Sequence, residues 1–141
     1  IVCLCFAMLL QAQVSKTVDS MAGGLSLALT STEKSTITNL TVKGTIDARD
    51  FKTMRDNMGA LTNLDLRNVL IAAYFGSEGT IDTSFTTPSL EYVANKIPDE
   101  AFFGRKTLRP HWRKIYLFAR NLVLCGCLHN SCHYRVGIHP N

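Results

Sequence analysis

A repeat constrains this chain more than any other feature. Ile37-Thr38-Asn39-Leu40-Thr41-Val42 and Leu61-Thr62-Asn63-Leu64-Asp65-Leu66 share one order of residue types (apolar, Thr, Asn, Leu, polar, apolar) at an offset of 24. A fixed offset means that one structural unit recurs, and such units bury their apolar faces by stacking on each other. Alternation within each copy turns Leu40 and Val42, and likewise Leu64 and Leu66, to one side of a strand. The pattern predicts adjacent parallel strands over residues 37–42 and 61–66. Between them Asp47 stands where a helix N-cap belongs, and Phe51, Met54 and Met58 follow at spacings of three and four. Those spacings place an apolar stripe on one face of a helix over residues 48–58. Asp50 adds negative charge to its first turn, and Gly59 occupies a C′ position suited to ending it.

An offset of 24 lies inside the range of about 20 to 29 residues for leucine-rich repeats, and Leu61-x-x-Leu64-x-Leu66 satisfies their L-x-x-L-x-L pattern. One unit cannot bury both its strand and its helix stripe, so it needs neighbours. Upstream, Ala22-Gly23-Gly24 breaks the chain, and Leu25, Leu27, Ala28 and Leu29 predict a short helix covering the open end of the stack. Polar Thr30 to Ser35 follow it. Downstream, Gly76 to Thr87 is rich in Gly, Ser and Thr and predicts an exposed loop. Ile97-Pro98-Asp99-Glu100-Ala101-Phe102-Phe103 then predicts a tight turn with buried aromatics. The fold class expected is α/β: a leucine-rich-repeat solenoid fragment with an N-terminal cap, short parallel strands alternating with helices, and an irregular C-terminal tail.

Several segments carry a more specific resemblance. Ala22-Gly23-Gly24-Leu25, Gly44-Thr45-Ile46-Asp47-Ala48-Arg49-Asp50-Phe51, Met54-Arg55-Asp56-Asn57-Met58, Leu64-Asp65-Leu66 and Ile97-Pro98-Asp99-Glu100-Ala101-Phe102 are similar to the start of BspA-like leucine-rich-repeat proteins, large secreted or surface proteins of Bacteroidetes. The resemblance covers about residues 15–103. It implies a cap leading into many repeats, each turning through an apolar-Gly or apolar-Pro step into Ala-Phe. It also implies a solenoid face used for adhesion or ligand binding, with host or bacterial surface proteins or glycans as partners. The positions expected to build the repeat are Leu40, Val42, Phe51, Met54, Met58, Leu61, Leu64, Leu66, Ile97, Ala101 and Phe102.

Both ends differ from this middle. The run Ile1 to Leu10 is apolar and reads as the core of a secretory signal peptide, with small Ala12 near the cleavage point. It lacks a basic front end, so residues 1–13 are expected to be a truncated signal, and the only expected dealing with a membrane is through it. A buried helix or an anchor is the alternative, although the run is shorter than the roughly 20 apolar residues that span a bilayer. The repeat domain is then expected over 14–103 and an atypical tail over 104–141. Residues 1–103 carry 8 Lys/Arg against 11 Asp/Glu, whereas 104–141 carry 7 Lys/Arg and no acid, together with all four histidines and Trp112. Two explanations compete: a basic tail with its own role, or a reading frame shifted after Phe103. The shifted frame is favoured, because acids vanish and Ser/Thr nearly vanish while Trp, His, Cys and Arg arrive together without periodicity. On that reading the tail adds no regular strand to the stack, and another frame restores the repeat.

Composition and motifs exclude much else. Cys125, Cys127, His129, Cys132, His133 and His139 supply thiolate and imidazole ligands suited to zinc, the basis of an alternative reading as a small secreted metal-binding protein. Their spacing is poor, since structural zinc sites set a second ligand pair well apart from the first. Trp112, Arg113, Lys114, Tyr116 and Arg120 interleave aromatic and basic residues, yet a secreted protein rarely meets nucleic acid, and none is expected as a partner. Asp47, Asp50, Asp56 and Asp65 are the candidate acid/base groups. Capping accounts for the first two, and the solvent face of the helix for Asp56. Neither G-x-S-x-G nor a Gly-rich phosphate loop occurs. The expectation is a binding or adhesion module, secreted or at the cell surface, without cofactor or catalysis.

Overall fold

The computed structural model describes residues 12–82 and 90–105 in full, and the backbone of residues 115–116, 124–128 and 131–135. Strand β1 (Ser15–Ser20) leads into two short helices, α1 (Leu25–Ala28) and α2 (Ser31–Thr36), then β2 (Asn39–Ile46), α3 (Ala48–Asn57) and β3 (Asn63–Ile71). A hairpin of β4 (Tyr74–Gly76) and β5 (Leu90–Tyr92) follows, then β6 (Ile115–Tyr116) and a second hairpin of β7 (Leu124–Leu128) and β8 (Ser131–Arg135). The main sheet has the order β1-β2-β3-β6, and every pairing in it is parallel. The protein is therefore mixed α/β, with helices on one face of a parallel sheet.

The register carries the 24-residue offset directly. Asn39 lies opposite both Ser15 and Asn63, and Leu40 opposite both Lys16 and Leu64. At the start of each strand one carbonyl receives two successive amides: Thr38 N and Asn39 N donate to Val14 O at 2.9 and 3.0 Å, and Thr62 N and Asn63 N donate to Thr38 O at 2.8 and 3.0 Å. The threonine hydroxyls of Thr38 and Thr62 donate to the same two carbonyls. This identical junction explains why Thr recurs at that position: its hydroxyl and its amide serve one acceptor of the preceding unit.

Both expected strands exist, two residues later than the apolar pattern placed them. Ile37 caps α2, its amide donating to Glu33 O, so it is spent on the helix before β2 begins. The strands also run on to Ile46 and Ile71, and the register slips once between Thr41 and Lys43, where β3 holds an extra residue. Gly44 bends β2 at φ +86°, and a Cβ there would lie 2.5 Å from Ser20 O, so only glycine admits this approach of β1.

Helix α3 starts as expected. The Asp47 carboxylate accepts from Arg49 N, and Asp50 reaches back to Asp47 N in a reciprocal cap. At its end Gly59 follows the C-cap Met58 in the expected C′ position, but it is absent from the positive-φ residues, so no left-handed C′ closes the helix. Arg105 does that work instead. Its guanidinium, buried against the helix end, donates to Met58 O, to Arg55 O at 2.9 Å and to Met54 O at 3.3 Å, satisfying carbonyls that a helix leaves without partners. Desolvation holds the Arg105 guanidinium below its ordinary pKa.

Phe51, Met54, Met58 and Leu61 close the core against Leu40, Val42, Leu64 and Leu66, and all eight are buried. Ile97 and Ala101 join them, while Phe102 is half-buried with its ring edge-on to Phe51 at 6.0 Å. Phe103, expected inside, is exposed because the Glu100–Gly104 turn directs it outward. Thr80 also departs from its expected exposed loop: it is fully buried, with its hydroxyl donating to Asp99 O. The neighbouring residues 83–89 lie outside the described residues. The polar stretch from Thr30, to which the sequence pattern assigned no element of its own, forms α2 through a second reciprocal cap between Thr30 and Glu33.

The tail expectation is corrected twice. Ile115 and Tyr116 pair in parallel with Leu64 and Asp65, adding a short strand to the sheet. Gly104 and Arg105, assigned to the tail, belong to the fold. Of the expected signal segment 1–13, residues 1–11 lie outside the described residues.

Candidate binding face

Alternation in β1, β2 and β3 divides the sheet into a core side and an open side. Leu40, Val42 and Ile46 face α3, and so do Leu64 and Leu66; between them Thr41, Lys43 and Thr45 turn the other way. Because the strands are in register, these outward residues line up in rows across the sheet. One row is Thr17, Thr41 and Asp65, and the next is Asp19, Lys43 and Asn68. Leu70, opposite Thr45, is 67% exposed at the far end.

A polar ladder orders the near end. Asn63 Nδ2 donates to Asn39 Oδ1, and Asn39 Nδ2 donates to Ser15 Oγ at 3.2 Å. Asp65 accepts from the Arg67 guanidinium at 2.6, 3.0 and 3.1 Å and from Arg67 N at 3.1 Å, and the guanidinium holds the carboxyl below its ordinary pKa. The face therefore presents hydroxyls, amides and charges of both signs on rigid strands, an arrangement fitted to hydrogen-bonded recognition.

The four aspartates weighed as acid/base groups are all engaged. Asp47 pairs with Arg49 at 2.6 Å, Asp56 with Arg55 and Lys52, and Asp65 with Arg67. Asp50 has a role that its helix position did not reveal. Its buried carboxylate accepts from Gly23 N at 2.7 Å, Leu25 N at 2.9 Å and Asp47 N at 2.9 Å, tying the turn before α1 to the start of α3. Burial pushes its pKa up, and the three backbone donors pull against that shift.

Arg49 and Arg55 are two further residues that sequence reasoning missed. Arg49 lies 4.7 Å from the Tyr74 ring centroid, and Arg55 donates to Thr80 O and to Glu100 O, so α3 fastens the β4–β5 segment. Their local pairs with Asp47 and Asp56 gave no sign of this second use, since Tyr74, Thr80 and Glu100 lie 25 or more positions away in sequence.

Of the candidate zinc ligands, Cys125 and Cys127 lie on β7, and Cys132 and His133 on β8, with Cys127 opposite Cys132 in the backbone register. Their side chains, and His129 and His139 altogether, lie outside the described residues. Among the described residues, no helix is long and apolar enough to cross a membrane. Comparison with protein-family models and with curated proteins finds no match.

Proposed function

We propose that this chain is the opening end of a secreted or cell-surface binding module of the leucine-rich-repeat solenoid type, acting in adhesion and without catalysis. The observation that carries the reading is the 24-residue register shared by β1, β2 and β3, which lines up polar side chains in rows on the open sheet face. The resemblance of residues 15–103 to BspA-like proteins supports the same reading and suggests host or bacterial surface proteins or glycans as ligands. Engagement of Asp47, Asp50, Asp56 and Asp65 in caps and ion pairs supports a structural use of these carboxylates over an acid/base one. Fold alone does not name a ligand, so the test belongs on the face itself.

The experiment measures binding of the full chain to intact epithelial cells and to an array of surface glycans. A triple variant, Thr41→Glu, Lys43→Glu and Asn68→Glu, changes only outward side chains. Binding that saturates with the original chain and falls at least tenfold in the variant, at unchanged circular dichroism, is the expected result. Equal binding by both chains, or none by either, overturns the assignment of this face.

A further inference from the structure

We draw no further inference here: the strongest candidate, the exposed apolar side chains Leu70, Phe75 and Val93 where β3 runs into the β4–β5 hairpin, carries nothing because nothing in the structure shows what covers them.

Discussion

Asp50 shows how much one buried side chain can hold. Its two oxygens serve three backbone amides from two separate parts of the chain, and an asparagine offers only one acceptor while turning an N–H2 group toward one of those amides. Asp50→Asn is therefore expected to destabilise the fold by about 1–3 kcal/mol for each donor left unpaired. Urea unfolding measures this, and a change below roughly 0.5 kcal/mol, the size of an ordinary surface substitution, counts against the tie. Glu33 supplies a pH test. Hydrogen bonds from Lys16 and then from Thr30 lower its pKa from 4.5 to about 2. A depressed carboxylate stabilises the fold above its unfolded value, and that stability is lost as the pH falls from 4.5 toward 2. The stability difference between the original chain and Lys16→Met is expected to shrink over that window. A difference constant between pH 5 and pH 2 speaks against the Lys16–Glu33 pair as its source.

At the scale of elements, the parallel pairing of β2 with β3 is the centre of the structure, and Leu64 sits fully buried near its start. Leu64→Asp places an unpaired carboxylate there, which costs several kcal/mol and is expected to unfold the domain. Loss of the far-ultraviolet circular dichroism of the native chain is the measurement, and a native spectrum in the variant contradicts the burial. These strands and α3 were legible because their side chains alternate or recur at 3.6-residue spacing within a few residues. Strand β1 was not. Its core-facing sequence puts Lys16 where the later units have Leu40 and Leu64, so the apolar pattern is broken although the register is kept. Edge position explains the substitution, because the Lys16 ammonium reaches Glu33 at 2.6 Å outside the core. Helix α2 was also hidden, since it buries no residue and stands on its Thr30–Glu33 cap.

For the whole molecule, Arg105 fastens the end of α3 to a part of the chain more than 40 positions away. Stopping the chain after Arg105 keeps the helix closure and removes only the two-residue strand β6 from the main sheet, so the melting temperature is expected to shift little. Stopping after Gly104 removes the guanidinium from four helix-end and loop carbonyls, Met54, Arg55, Met58 and Leu61. That truncation is expected to cost about 2–4 kcal/mol, as for several buried acceptors left unpaired. Equal melting temperatures for the two truncations refute the closure. Zinc separates the proposed module from the metal-binding alternative. Equimolar zinc is expected to leave the melting temperature of the full chain unchanged, because only a ligand that prefers the folded state raises it. A chelator-reversible rise that disappears on changing Cys125 and Cys132 to Ser favours the metal reading.

The local patterns determined the strands, the helix between them and its N-cap, because each depends on side chains a few residues apart and on a 24-residue offset visible in one dimension. The same offset placed Thr41 beside Asp65 within reach of a sequence reading of the open face, whereas Thr17 and Asp19 on β1 join their rows only in the structure. Tertiary structure alone decided how the units are fastened together. Asp50 to the Gly23–Leu25 turn, Arg55 to Thr80 and Glu100, and Arg105 to the end of α3 join residues 25 to 51 positions apart. Such contacts leave no periodic trace, because a buried charge is placed by the backbone groups that need it and not by its neighbours in the chain.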